Sequence, residues 1–362
     1  MNTTKLKSKP TLNNEYWITL DSQVFGGIET HVLELAAGLI QFKQNVRVVL
    51  LTEYANSQPI ISKLTSANIP FNFVSELSSG KPHINILKHF YSAIQQHQPK
   101  LIHAHGYKAS IISRLACLQC KWHSQSHPPA QMTTYHAGET PKGKVRFYDM
   151  LDRFSAFMSN RNFAVSHDIA HKIPDKTVVL NNFVSLPPYP KHFGKNIAYV
   201  GRLSHEKAPD RYLALAQYFP NDHFHLYGSG PMAAELKPLA TENVLFHGHI
   251  DDMNAVWDNI GVLLITSRFE GLPMAALEAM SRGIPVISTN VGAISSLIEH
   301  DKNGWIGSNV EALRQSLNSW LTLSEVHKAE IRKKARQTIE HHFSIQAVIP
   351  QYLEQYEEVL NR

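Results

Sequence analysis

Two glutamates, Glu270 and Glu278, stand eight positions apart in the segment 267–288, SRFEGLPMAALEAMSRGIPVIS. A Gly-Leu-Pro turn follows the first, and the second lies in an alanine- and leucine-rich helix ahead of an apolar strand, Ile284–Ser288. Continued as a helix, eight residues rise about 12 Å and return to nearly the same face. Glycoside hydrolysis needs its carboxylates roughly 5 to 9.5 Å apart, so this pair does not share one reacting bond. It suits the two ends of an elongated, hydroxyl-rich ligand. Negative charge near a helix N-terminus is also mildly stabilising without any ligand.

Cationic side chains occur where an anion would need them. Arg202 and Lys207 sit in GRLSHEK, directly after a strand. Arginine can clasp phosphate oxygens bidentately, and lysine adds a compact charge. Strand-end placement favours phosphate binding over a solvated loop. Gly26-Gly27 separates a strand from its helix, where glycine lets backbone N–H groups approach an anion. A third glycine at dinucleotide-fingerprint spacing is missing, and a tight turn explains the pair equally well. Gly228, in Gly-Ser-Gly-Pro, permits close backbone approach or simply turns the chain. His249 and Ile250 follow a further strand, in a loop able to present backbone groups to a planar base.

His103 and His105 alternate on one strand and so face the same side. No third metal ligand is evident beside them. His136, at the end of another strand, is the better candidate for a hydrogen bond into a cleft, and His103 reads as a core residue. Cys117 and Cys120, with His123 and His127 beyond, offer zinc-capable types. The gap to the histidines is short for a two-Cys, two-His site. Small cysteines on the core face of a helix Ala109–Leu118 account for the pair.

These residues are held by alternating strands and helices, the pattern of parallel-sheet α/β domains. In the first half the expected strands are Tyr16–Leu20, Arg47–Thr52, Ile69–Val74, Leu101–His105, Met132–Tyr135, Asn162–Val165 and Val178–Leu180. Helices are expected over Glu29–Phe42 and Asn85–His97. A proline-rich stretch, 186–196, reads as a linker. Beyond it, strands are expected at Ile197–Val200, His223–Tyr227, Val244–Phe246, Gly261–Thr266 and Pro285–Ser288, with a helix from Arg211 and helical segments over Ser324–Arg362. The division is a basic tail 1–14, a domain 15–185, the linker, a domain 197–341 and a final helical segment 342–362.

With 362 residues, two domains are the natural expectation. The 43% hydrophobic and 18% charged fractions describe a folded protein with ample core. No segment approaches the ~20 apolar residues of a membrane span, and the N-terminal residues lack the apolar stretch of a signal peptide. The cytoplasm is therefore the expected compartment. A formal net charge of +5 favours anionic partners, but no nucleic-acid-reading signature accompanies it. Lys142–Arg146 and the N-terminal tail could touch anionic lipid at the inner face of the cytoplasmic membrane, as a peripheral contact.

In order, GGIETHVLELAAGL, LIHAHG, TTYHAG, FAVSHDIAHKI, YVGRLSHEK, LYGSGP, VLFHGHI, SRFEGLPMAALEAMSRGIPVIST and NVGAISSLIEHDKNGWI resemble glycosyltransferase family 4, retaining enzymes of the GT-B fold. The resemblance runs from about Tyr16 to the C-terminus. It implies two Rossmann-like domains facing across a cleft, a nucleotide-sugar donor (commonly a UDP-sugar), and a saccharide or lipid-linked glycan acceptor in cell-surface polysaccharide or lipopolysaccharide synthesis. By this resemblance Glu270, with amides after Gly271, meets the donor sugar, and Glu278 meets the ribose. Arg202 and Lys207 face the diphosphate, Gly27 lies against phosphate or acceptor, and His136 bonds the sugar. Pro273 lacks an N–H, leaving Met274 and Ala275 as the amide donors, and Ala208 stands where the family often has glycine. The final segment, Phe343–Leu360, would cross back to the first domain. With Arg202 and Lys207 carrying positive charge, neither metal nor other cofactor is expected. A nucleotide-sugar epimerase of the same fold and a non-catalytic sugar-nucleotide-binding subunit are the alternatives.

Overall fold

The computed structural model describes residues 14–56, 58–78, 85–123, 128–136 and 143–362. Residues 1–13 of the expected basic tail, His127, and the segment 137–142 with Lys142 lie outside the described residues.

Thirteen strands among the described residues form two sheets, every pairing parallel. The first contains β1 (Glu15–Leu20), β2 (Asn45–Leu50), β3 (Phe71–Phe73), β4 (Leu101–His105), β5 (Ala130–Tyr135), β6 (Arg161–Ala164) and β7 (Thr177–Val179). The second contains β8 (Asn196–Val200), β9 (Phe224–Tyr227), β10 (Val244–Gly248), β11 (Ile260–Ile265), β12 (Val286–Thr289) and β13 (Gly304–Gly307). Their orders, β3-β2-β1-β4-β5-β6-β7 and β10-β9-β8-β11-β12-β13, both reverse at the first strand of the domain. Such a reversal opens a crevice outside the carboxyl strand ends, where ligands bind in doubly wound sheets. The β1/β4 and β8/β11 junctions are therefore the places to look for chemistry.

Strands buried on both faces explain why the sequence pattern was legible. All six residues of β11 and all four of β12 are buried, as a parallel sheet covered by helices requires. The strand at 304–307 and the helices Pro59–Ser66, Lys144–Phe154 and Val310–Thr322 were not anticipated. Around Val74 the expected strand instead turns into a short helix, Val74–Leu77.

The final segment is two helices, Glu325–Thr338 and Ile345–Leu360, separated by a π-turn at Ile339–Phe343. The second packs into the core of the first domain: Ile345, Val348, Ile349, Tyr352, Tyr356 and Val359 join Leu35, Leu39 and Ile18 there. Gly38 makes this docking possible. A Cβ at that position would lie 2.6 Å from Ile349 Cγ1, well inside van der Waals contact. The two crossings between domains lie side by side, with Val184 N–H donating to the Phe343 carbonyl at 2.9 Å. Glu34, on the Gly27–Gln41 helix, accepts from the Ser185 amide at 2.8 Å and pins the first crossing.

Candidate active site

The charged half of the site is built by stitching the β8 and β11 loops together. Arg268 N–H donates to the Glu206 carbonyl at 2.7 Å, and its guanidinium grips the Asp210 carboxylate through two nitrogens, at 2.9 and 2.6 Å. Thr266 Oγ1 donates to the Ala208 carbonyl at 2.8 Å. Ala208 takes the left-handed conformation at φ 49°, which glycine adopts without cost and alanine does not. This turn brings Lys207 against Glu270, its Nζ lying 2.7 and 2.6 Å from the two carboxylate oxygens. Ser267 Oγ donates to the same carboxylate at 2.7 Å. Arg202 is exposed on the same β8 loop as Lys207. Burial pushes the Glu206 carboxyl up, but the Ser204 side chain, Glu206's own backbone N–H and then Arg202 together hold it below its usual range. Neither Arg268 nor Asp210 was singled out from sequence; their spacing of 58 residues carries no local signal.

Glu270 and Glu278 are not on one helix. The helix begins only at Met274, after Pro273, so the 12 Å rise expected from continuous helical geometry does not describe the pair. Glu278 lies on that helix, half-buried. Burial is the main cause that pushes its carboxyl up to about 7, with the Glu34 carboxylate of the first domain adding to the rise and Arg282 and Lys63 opposing it. Glu34 is itself raised by burial. Two carboxyls and two cations from facing domains thus meet beside the interdomain crossing. Glu34, Lys63 and Arg282 were missed because each belongs to a different element.

Across the cleft the wall is uncharged. His103 is fully buried with both nitrogens engaged, Nδ1 2.6 Å from the Tyr356 hydroxyl and Nε2 2.7 Å from Thr134 Oγ1. His105 Nδ1 and His136 Nε2 share a hydrogen bond of 3.0 Å. The His31 and His136 rings meet edge to face at 4.6 Å. Burial holds the His103, His105 and His136 imidazoles well below their usual range, and His31 down to about 4. All four are neutral at pH 7. The third ligand that sequence reasoning lacked is His31: one ring nitrogen each from His31, His105 and His136 lies within 4.8 Å of the others. Two nitrogens on one zinc are at most about 4.2 Å apart at bond lengths of ~2.0–2.1 Å. Holding a cation there requires the rings to close in and the His105–His136 hydrogen bond to break.

The glycines divide by role. Gly27 stands across the cleft from the first turn of the Met274–Met280 helix, its notional Cβ 3.9 Å from Met274 Cγ. Gly271 faces the first domain, where a Cβ would come 3.1 Å from the His136 carbonyl. Gly26 N–H is taken by Glu29 at 2.9 Å. Gly228 N–H is taken by the Gly248 carbonyl at 2.7 Å, and a Cβ there would strike the Gly201 carbonyl at 1.9 Å. The expected ligand-facing amides of Gly26 and Gly228 are therefore spent within the protein. His249 is exposed with Nε2 3.4 Å from Asp251, and Ile250 packs against the second-domain core. Met274 and Ala275 open the helix, where the first N–H groups have no intrahelical acceptor. Cys117 and Cys120 are buried in an apolar cluster, and burial pushes both thiols up.

The sequence profile of Glycosyltransferase Family 4 matches residues 25–186, and that of Glycosyl transferases group 1 matches 194–322. The chain belongs to glycosyltransferase family 4. Among curated relatives of this family-4 chain, the putative colanic acid biosynthesis glycosyltransferase WcaL of Escherichia coli K12 is 36% identical over 105 residues, 27% of this chain and 26% of its own. The UDP-Gal:alpha-D-GlcNAc-diphosphoundecaprenol alpha-1,3-galactosyltransferase of Escherichia coli is 24% identical over 255 residues, 60% of this chain and 64% of its own. The matches therefore span less than two thirds of these relatives' length. Anabaena Alr3699/HepE, solved in complex with UDP-glucose, superposes with a TM-score of 0.78 over 96% of this chain and 100% of its own at 17% identity. That likeness establishes the GT-B fold for this family member.

Proposed function

We propose that this chain is a retaining glycosyltransferase that moves a sugar from a nucleotide-sugar donor, a UDP-sugar, to a saccharide or lipid-linked glycan acceptor in the assembly of a cell-surface polysaccharide or lipopolysaccharide. The observation that carries the reading is the Lys207–Glu270 pair at the β8/β11 switch point, 2.6 Å apart. It puts a cation for a phosphate and a carboxylate for sugar hydroxyls side by side. Support comes from the names of the curated relatives, which include polysaccharide enzymes and a UDP-galactose enzyme.

In the proposed reaction, Arg202 and Lys207 stabilise negative charge developing on the departing diphosphate. Preorganised cations are the main source of such stabilisation. Donor binding transfers part of Lys207 from Glu270 to phosphate, freeing the carboxylate for the sugar. His136, neutral and beside Gly271, offers a hydrogen bond to the sugar, and the Met274 and Ala275 amides meet the donor from the helix end. Glu278 takes the ribose hydroxyls. The acceptor hydroxyl attacks from the face that the diphosphate leaves, and a leaving-group oxygen accepts its proton. This route uses no metal, so activity persists in EDTA.

A thermal-shift screen of nucleotide sugars tests the reading, since a donor that binds only the folded chain raises the melting temperature. The best donor is then incubated with glycan acceptors and the product's anomeric configuration is read by NMR. An epimerised nucleotide sugar formed without acceptor makes the chain an epimerase. Donor binding with no transfer makes it a binding subunit.

A further inference from the structure

Away from the cleft, one surface departs from ordinary soluble-protein composition. On the Lys144–Phe154 helix, Val145, Phe147, Tyr148, Met150, Leu151 and Phe154 are all exposed, and Phe157 follows just beyond. The phenylalanines are the most open, at 54%, 65% and 74%. A surface helix usually turns its apolar stripe inward. Here the inward anchor is polar: Arg114 donates to the buried Asp152 carboxylate at 2.7 Å. The neighbouring Tyr107–His123 helix runs alongside in the same direction, Tyr107 stacking on Tyr148 at 5.8 Å and Arg114 reaching Asp152 and Ser155. It exposes Leu115 and Trp122 as well.

The charges on this face have one sign. Among the described side chains of the two helices, the exposed charged residues are Lys121 and Arg146. The acids are turned in, Asp152 onto Arg114 and Asp149 onto Arg153 at 2.8 Å. The whole chain carries +5.

We infer that this face docks on an anionic lipid bilayer, with Phe147, Phe154 and Phe157 entering the headgroup–acyl boundary and Arg146 and Lys121 meeting lipid phosphates. Aromatic side chains with basic neighbours are the composition that interfacial helices use. A second copy of the chain is the poorer occupant, because a two-fold contact sets a patch of one charge sign against itself. Tyr107 lies two residues after His105, so the docked face adjoins the mouth of the cleft. On the proposed transferase reading, this brings a lipid-linked acceptor to the donor without its leaving the bilayer.

The test is flotation of the full chain with vesicles of phosphatidylcholine alone and of phosphatidylcholine mixed with phosphatidylglycerol. Binding is expected only with the mixed vesicles and is expected to weaken as salt rises. The triple variant Phe147→Ser, Phe154→Ser, Phe157→Ser should reduce the bound fraction at least about tenfold, because its apolar insertion is gone. Unchanged binding by that variant overturns the inference, as does a dimer in light scattering that the variant converts to monomer. Circular dichroism and the donor-induced thermal shift serve as controls, since these side chains are exposed and none belongs to the proposed donor site. Vesicle binding without any donor shift leaves the docking standing and removes the transferase reading. A donor shift without vesicle binding does the reverse.

Discussion

The two walls of the cleft use opposite chemistry on the same architecture. Both stand where the strand order of a parallel sheet reverses, and the two orders match. The second-domain wall is ionic and partly open, with Lys207 on Glu270 and Arg268 on Asp210. The first-domain wall is four neutral histidines, three of them fully buried and His136 half-open. The difference follows from what each can hold. Partly exposed, ion-paired cations can exchange one anion for another at modest cost, so the ionic wall suits the diphosphate of the proposed donor. A buried imidazole pays heavily to ionise, so the neutral wall fixes shape and directs hydrogen bonds.

The strongest way to break this comparison is to remove the ionic wall's movable cation. Lys207→Ala should lower kcat by about 10²- to 10³-fold, the usual cost of losing one preorganised stabilising group. The free protein should also lose some stability, because the Glu270 carboxylate, only 8% exposed, then keeps the Ser267 hydroxyl but not its cation. Steady-state kinetics with the donor found in the screen reads the first, and thermal denaturation the second. A variant that loses stability but keeps kcat would make the pair a fold element.

The complementary substitution strikes the neutral wall. His103→Phe leaves the Tyr356 and Thr134 hydroxyls without their partner in a sealed core. Stranding buried polar groups costs roughly 1–3 kcal/mol, so urea denaturation should show a loss on the order of 2 kcal/mol. Donor affinity should stay within about twofold, as no charge changes (1.4 kcal/mol being tenfold). A large loss of donor affinity with stability intact would move His103 from the frame to the binding surface.

How far the sequence could be read follows the same division. The strands around both walls announce themselves because parallel strands buried on both faces are nearly continuous apolar runs, as in Ile260–Ile265. Lys207, Glu270 and His136 stand at the ends of such runs and were legible for that reason. What joins them was not. Arg268 finds Asp210 58 positions away, Glu34 meets Glu278 across the domain boundary, and His31 reaches His136 from a helix rather than a strand. Spacing along the chain carries no trace of contacts set by sheet order. The helical spacing assumed between Glu270 and Glu278 failed for a local reason, because Pro273 delays the helix until Met274.

A smaller effect probes the seam where the walls meet. Glu278 has its carboxyl raised to about 7 from an ordinary value near 4.5, burial being the largest cause. The folded chain then holds this proton more tightly than the unfolded chain does. Its ionisation therefore removes stability as pH rises from about 4.5 to about 7, and nothing further above that. Glu278→Gln abolishes this contribution. The variant should gain on the order of 1 kcal/mol over the parent at pH 8, with the gain shrinking towards pH 5. Paired thermal melts across that range check it, and a constant offset would show that Glu278 does not titrate differently on folding.

The smallest effect lies at the turn that aims Lys207. Ala208 sits at φ 49° and ψ 52°, a conformation costing an L-residue roughly 1–2 kcal/mol. Glycine removes that strain but adds about 0.4–1 kcal/mol of unfolded-chain entropy. Ala208→Gly should therefore stabilise by between about 0 and about 1.5 kcal/mol. The turn is fixed from outside by the Thr266 hydroxyl on the Ala208 carbonyl and by the Arg268 amide on Glu206. With those bonds intact, Lys207 keeps its position and kcat should change less than about twofold, well short of a lost stabilising group. A large fall in kcat would mean that alanine's stiffness, and not the hydrogen-bonded frame around it, holds the ionic wall in register.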